Sequence, residues 1–512
     1  MKNVARDRPT DVAERLRLAT AKSLEVPHRT TLGQFFTPSS VARLIASKLT
    51  GCGTQRVRLL DPGAGVGSLT AAAVEHYSDL GVQELEIVAW EIDAKLHPAL
   101  QATLKQCVEW AAARGLDMRW DLQGGDYIKA SAVASGPSAE LEQFDAIIMN
   151  PPYRKVNSGT AERIALERVG LPVTNLYTAF LALGAVQLNS GGVLAAITPR
   201  SFTSGRYSAP FRHFFFERVG IEQLHLFESR SQVFSDAAVL QENVILSARR
   251  DAKPRRVQLS FSRGIEDTPR TREALAEEIL RPDDPQLFVR IPGEEQDGQI
   301  ANAIAALPST LRDLDITVST GRVVEFRARE HLRITPERGT APLIRPNHLK
   351  NNEISWPDTS KRGKPNALVI DPTSEKLLLP NETYVLVKRL TAKEEPRRVC
   401  AAVSSPVVAP GSRVAFENHL NVFHRNSNGL PDNFAHGLAA YLNSSLVDRY
   451  VRQFNGHTQI NATDLRHLRY PSAEILDALG ATVLRAQPAS QEELDEILDP
   501  MLCDAAVHRK AA

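Results

Sequence analysis

The sequence predicts an α/β protein, a doubly wound, mostly parallel sheet with an antiparallel edge strand, followed by a C-terminal domain of mixed α+β structure. Three observations carry that expectation. From about residue 30 to residue 250, short apolar runs alternate with longer segments of helical period, the pattern of a sheet covered by helices. The runs at 57–61, 85–91, 144–150, 192–198 and 221–227 are short, and several are rich in Val, Ile and Leu, as strands buried on both faces must be. The next run, 243–248, follows too closely for a crossover helix, so it is expected to pair antiparallel with its predecessor.

A chain of 512 residues exceeds one core, at roughly 100–200 residues per domain. Residues 1–30 read as a charged helical lead-in, with Leu16, Ala19 and Leu24 as a short apolar stripe. The sheet domain is expected over 31–255. A connector is expected over 256–308, where RTREALAEEILRPDDPQ and IPGEEQDGQ are polar and broken by Pro and Gly. A second domain follows over 309–475, dense in turn signals, and a helical segment over 476–512.

Composition sets outer bounds. With 43% hydrophobic and 24% charged residues and a formal net charge of +1, the chain reads as an ordinary globular protein. Any surface for an acidic partner must come from local segregation of charge. Cys52, Cys107, Cys400 and Cys503 are scattered and form no CxxC pair, so no metal site is expected from them. The start lacks the apolar core of a secretory signal, and there is no apolar run of 18 residues. The expected setting is the cytoplasm.

Two segments carry chemistry. The first is LLDPGAGVGSL at 59–69: a strand, an acid, three glycines, then a helix. Glycines at 63, 65 and 67 let the backbone turn tightly and approach a ligand at a strand's carboxyl end. The spacing is not the G-x-G-x-x-G that seats a pyrophosphate, and the Lys-Ser/Thr of a P-loop is missing, so a cofactor without phosphates fits better. Glu91 ends the next strand and can accept from two ribose hydroxyls, or it can be an acid favoured at a helix start. Asp126, in GGDYI, can accept from an adenine amino group or serve as a turn aspartate.

The second segment is FDAIIMNPPY at 144–153, a buried strand running straight into Asn150-Pro151-Pro152-Tyr153. The prolines stop the ladder and stiffen the backbone. The Asn150 side-chain oxygen and the Pro151 carbonyl can together accept both N–H bonds of a planar exocyclic amine. That draws the nitrogen lone pair out of conjugation and aims it at an electrophilic methyl. The Tyr153 ring offers a face for a stacked base.

At these residues the chain resembles the gamma-class N6-adenine DNA methyltransferases, with likeness further along to the PstI-type modification enzymes of type II restriction–modification systems. The resemblance implies a class I methyltransferase fold with S-adenosylmethionine as cofactor. GQFFTP at 33–38 matches the motif at the methionine end of the cofactor, through Phe36, Thr37 and Pro38. The turn matches through Asp61, Gly63 and Gly65, and the ribose and adenine contacts through Glu91, Ile92, Asp126 and Tyr127. Asn150 serves both cofactor and target. The catalytic set implied is Asn150, Pro151, Pro152 and Tyr153, with Phe234 as a second aromatic against a flipped adenine.

The same loop serves enzymes acting on glutamine amides and on RNA, so an RNA or protein amine methyltransferase stays open as an alternative, as does an inactive DNA-binding scaffold. About half the chain lies beyond the sheet, and residues 322–469 hold 22 Lys and Arg against 14 Asp and Glu, which suits double-stranded DNA. The candidate contacts are Arg345, Asn347, His348, Lys350, Lys361, Arg362, Lys364, Arg452, Gln453, His457, Thr458 and Gln459. About 30 residues precede the sheet domain, too few for a nuclease, and DPTSEK at 371–376 lacks the spacer of a nuclease motif. Cleavage is therefore expected from a separate endonuclease, and this chain is expected to act as a monomer.

Overall fold

The structure is a computed structural model. It describes residues 7–24, 36–51, 55–134, 141–157, 159–171, 173–227, 242–265, 267–360, 363–392, 395–456 and 458–510, with the side chains of 133–134 and 503–510 also left aside. Contacts divide the chain into two units, Met1–Ile291 and Pro292–Ala512.

The first unit is built on nine strands. They are β1 (Arg56–Pro62), β2 (Glu84–Glu91), β3 (Asp117–Gly124), β4 (Phe144–Met149), β5 (Leu188–Pro199), β6 (Val219–Phe227), β7 (Asn243–Arg250), β8 (Arg256–Ser262) and β9 (Arg270–Leu275). Their order across the sheet is β3-β2-β1-β4-β5-β7-β6-β8-β9. From β3 to β5 the pairing is parallel. β7 runs antiparallel between β5 and β6, and the edge strand β9 is antiparallel to β8. The chain moves outward from β1 to β3, then returns to place β4 on the other side of β1. That reversal is the point where open α/β sheets bind ligands.

Alternation along the strands fills two cores. Leu60, Ile147, Leu194, Ala196 and Leu246 face one side, with Phe180 and Tyr177 of the helix Leu176–Gln187. Leu59, Ile148, Ala195, Ile197 and Ile245 face the other, with Val41 and Ile45 of the helix Ser39–Ala46 and Ala72 of the helix Ser68–Asp79.

Two expectations are corrected here. Residues 256–308 are not simply a connector, because β8 and β9 extend the sheet. β9 hides this in sequence, since nearly all of it faces solvent. The lead-in helix, Pro9–Ser23, is not seated by Leu16, Ala19 and Leu24; Ala19 is exposed and the two leucines are half-buried. It is held instead by Thr10, whose N–H and hydroxyl donate to the buried Glu75 at 2.9 and 2.8 Å.

The second unit holds a four-stranded antiparallel sheet ordered β10 (Thr317–Thr320), β20 (Leu420–His424), β17 (Tyr384–Lys388), β18 (Ala401–Ser404). A second sheet of five strands, β11 (Leu332–Arg333), β15 (Ala367–Val369), β12 (Thr340–Ile344), β19 (Arg413–Phe416), β16 (Leu378–Pro380), is mixed. A hairpin of β13 (Leu349–Lys350) and β14 (Glu353–Ile354) stands apart from both. Helices Gln296–Ala306, Asp432–Leu442, Ser445–Phe454, Ala462–Arg466, Ala473–Ala486 and Gln491–Lys510 accompany the sheets. Among the described residues, no helix is long and apolar enough to cross a membrane.

Candidate active site

β1 and β4 are parallel neighbours, Leu59 beside Ala146 and Leu60 beside Ile147, so the loops that follow them emerge at the same end of the sheet. Between them opens a cleft continuous with solvent.

The glycine turn forms one wall. Gly65 and Gly67 have φ of +60° and +85°, a region that side chains enter at a cost. A Cβ at Gly65 would stand 3.7 Å from the Phe36 ring, within the cleft. At Gly67 it would meet Leu100 and Thr103 at 3.0 Å. The backbone N–H groups of Gly63 and Ala64 both donate to the Trp90 carbonyl at 2.8 Å, which binds the turn to the end of β2.

Glu91 completes that junction. Its Oε2 accepts from the Gly65 N–H and its Oε1 from the Asp93 N–H, both at 2.8 Å. Burial raises its pKa. An ionised carboxylate offers about four acceptor positions, so two remain beyond those bonds. β3 lies beside β2 with Gly124 opposite Glu91, which brings Asp126 to the same wall. Asp126 also caps the helix Tyr127–Ala134: its Oδ1 accepts from the N–H groups of Ile128 and Lys129 at 3.0 and 3.3 Å. Asp126 is thus a turn aspartate that also lines the cleft.

Asp61 behaves differently from its expected role. It does not line the cleft but is wholly buried beneath the turn, where its Oδ2 accepts from the Thr70 hydroxyl at 2.6 Å. Its Oδ1 has no hydrogen-bond partner among the described residues. Burial, with the charge of Glu91 adding to it, pushes its pKa up to about 7. Its part is to hold the turn and the helix behind it.

On the opposite wall Asn150 follows β4. Its Nδ2 donates to the Thr37 hydroxyl at 2.9 Å, and its Oδ1 accepts from the Tyr153 hydroxyl at 3.0 Å. The amide is thus oriented, nitrogen to Thr37 and oxygen to Tyr153. Pro151 is buried, Pro152 lines the cleft, and the Tyr153 ring packs edge-on against Tyr177 with centroids 6.4 Å apart. Pro38 precedes the helix Ser39–Ala46 as its N-cap, and Ile92 stands exposed at the rim. Phe234 lies outside the described residues.

The sequence left part of the lining unread. Trp90, Leu96 and Phe180 also face the cleft. Trp90 and Tyr127 meet edge-on at 6.1 Å, and Tyr127 and Phe180 pack at 5.0 Å. Phe180 sits in a helix that is apolar all round, so nothing in its spacing marks one face as functional.

The sequence is 38% identical to the type II methyltransferase M.PstI of Providencia stuartii over 96% of this chain and 97% of that protein. This chain belongs to the type II methyltransferases. M.BsuBI of Bacillus subtilis, also a type II methyltransferase, is 38% identical over 93% of this chain and 95% of its own length. The family described as Eco57I restriction-modification methylase matches residues 108–234. Among solved structures, the type IIL restriction–modification enzyme MmeI in complex with DNA has a similar fold, with a TM-score of 0.56 at 12% identity, covering 98% of this chain and 78% of that one.

The methyltransferase is thus an S-adenosylmethionine-dependent enzyme acting on DNA within a restriction–modification system, and the cleft suits that cofactor. Glu91 has acceptor positions for hydroxyls, the aromatic rings supply apolar walls, and the glycine turn leaves the space that a side chain at Gly65 would fill.

The DNA contacts expected in the second unit of the methyltransferase divide by burial. His348 is fully buried, its Nε2 2.9 Å from Asn366 Oδ1 and its Nδ1 accepting from the Arg345 N–H. Burial lowers its pKa to about 4. Arg345 is buried against Glu325, and Gln453 is buried with its amide donating to the Asp297 carbonyl at 2.9 Å. These three hold the fold and present no surface to DNA, a correction to the sequence reading. Arg452 is half-buried and bonded to Asp448 at 2.6 Å. Asn347 is half-buried, its amide donating to Asp358 at 3.2 Å. Lys350, Lys364, Thr458 and Gln459 are exposed. Lys361, Arg362 and His457 lie outside the described residues.

Proposed function

We propose that this DNA methyltransferase is adenine-specific, transferring the methyl group to N6 of an adenine flipped out of the duplex. The observation that carries the reading is the oriented Asn150 amide, set at the end of β4 in the same cleft as Glu91 and the glycine turn. When bound, S-adenosylmethionine supplies a methyl group on a sulfonium. Asn150 Oδ1 already accepts an O–H donor, and an amine N–H can take that place. With the Pro151 carbonyl accepting the second N–H, the amine is held by both hydrogens and its lone pair is turned toward the methyl donor. Glu91 and Asp126 orient the cofactor from the facing wall. Tyr153, released from Asn150, offers its ring to the base, which offsets part of the few kcal/mol of unstacking. In the same reading cleavage belongs to a separate endonuclease, and this chain works as a cytoplasmic monomer.

The test is product analysis. DNA methylated by the full-length protein, digested to nucleosides and examined by mass spectrometry, is expected to contain N6-methyladenine. Asn150→Ala is expected to abolish transfer while calorimetry still detects cofactor binding. N4-methylcytosine as the product, or comparable turnover by Asn150→Ala, overturns the reading.

A further inference from the structure

The hairpin β13–β14 is two residue pairs long, with Leu349 opposite Ile354 and Lys350 opposite Glu353. Asn351 and Asn352 make its turn, with φ of +49° and +66°, as a two-residue type I′ connection requires. A ribbon this short has little stability of its own, and the unit holds it from below. Leu349 and Ile354 are buried in a core with Tyr384, Phe416 and Val422. The Ser355 N–H donates to the His348 carbonyl at 2.8 Å. The Lys350 ammonium lies 3.2 Å from the buried carboxylate of Asp358, which also accepts from the Asn347 amide at 3.2 Å and the Ser360 hydroxyl at 2.5 Å.

The base is therefore fixed while the tip is left unused by the fold. Asn351, Asn352 and Glu353 are exposed, and neither asparagine amide takes a hydrogen bond among the described residues. Asparagine is accepted at both positions of a type I′ turn, and glycine would serve the backbone equally well at either, so the turn permits the two exposed amides without fixing them.

The chemistry of the tip fits base edges. A planar amide donates and accepts at once, matching N6 and N7 of adenine, and a carboxylate accepts from N4 of cytosine. The flanks fit phosphate: exposed Lys364 closes the loop that Asp358 opens. The groove that the hairpin itself lines also holds Lys388 and Arg397, together with Glu395. Backbone contacts position a protein on DNA and base contacts specify the sequence, and a two-stranded ribbon has the width of the major groove.

We propose that this hairpin enters a groove of the DNA substrate and that Asn351 and Asn352 read base edges, making them specificity-determining residues of the methyltransferase. The inference rests on DNA as the substrate and not on which base receives the methyl group.

The test uses the full-length protein and the variants Asn351→Gly and Asn352→Gly. Glycine keeps the turn and removes only the amide, so misfolding does not confuse the result. Single-molecule sequencing of DNA from expressing cells defines the wild-type site. Then kcat/KM is measured on duplexes carrying that site and each single base-pair substitution of it. The expected result is a loss of discrimination of about ten- to a hundredfold at one or two positions, with cofactor Kd unchanged. Lys364→Ala is expected to slow all duplexes alike. Wild-type discrimination in both glycine variants, or a uniform loss of rate with no position relaxed, overturns the proposal. A wild-type product other than N6-methyladenine defeats the adenine reading alone and leaves this experiment intact.

Discussion

Asn150 serves an amine only if its oxygen faces the cleft, and Thr37 fixes that orientation by accepting from the amide nitrogen. Thr37→Val keeps the shape and removes the acceptor. Without that acceptor the amide loses a hydrogen bond of about 0.5–1.5 kcal/mol that holds its oxygen toward the cleft. The expected outcome is a kcat about tenfold or more below wild type, a smaller change in cofactor Kd, and recovery in Thr37→Ser. Steady-state kinetics of the two variants checks it, and equal losses in both would show that the hydroxyl is irrelevant. At this scale the sequence was most legible where chemistry is tied to a strand end, as at Asn150 and Glu91. It misled where polar side chains turn inward: His348 and Gln453 read as surface groups but are buried partners of Asn366 and Asp297.

The elements pack with backbones in contact at one crossing. Helices Asp432–Leu442 and Ala473–Ala486 meet at Gly437 and Gly480, where a Cβ on Gly437 would lie 1.8 Å from the Leu476 carbonyl and one on Gly480 1.7 Å from the Asn433 carbonyl. Because the obstacles are backbone atoms, no rotamer relieves them, and the helices must separate. Gly437→Ala is expected to cost about 3 kcal/mol, the upper part of the range for overpacking. Urea unfolding should show a lower midpoint, and an unchanged midpoint would mean that the helices do not cross so closely. Element legibility followed burial. The buried strands β1, β2 and β4–β7 carry apolar runs. β9 shows one buried position in six, and most strands of the second unit span only two to five residues, too short for alternation to register.

At the scale of the whole molecule, the cleft and the local excess of positive charge fall in different units. Every residue lining the cofactor cleft falls between Phe36 and Phe180, in the first unit, whereas the positive excess lies in 322–469 of the second. The 22 Lys and Arg of that segment overstate the cations available to DNA, because several of them are held in ion pairs. Arg413 lies 2.5 Å from Glu375, Arg333 3.0 Å from Glu337, and Arg452 2.6 Å from Asp448. Lys364 is exposed without such a carboxylate among the described residues. Counterion release depends on charges that meet phosphate, and each contact contributes about 0.9 to the slope of log K against log salt. Lys364→Ala is therefore expected to flatten that slope by about 0.9, whereas Arg413→Ala leaves it nearly unchanged, since its charge is spent on Glu375. Fluorescence anisotropy with a labelled duplex between roughly 50 and 200 mM salt, the range over which such slopes are resolved, measures both. Equal slopes for wild type and Lys364→Ala would place the phosphate contacts elsewhere on the second unit. A flattened slope for Arg413→Ala would mean that DNA competes successfully for an arginine the free protein holds in an ion pair.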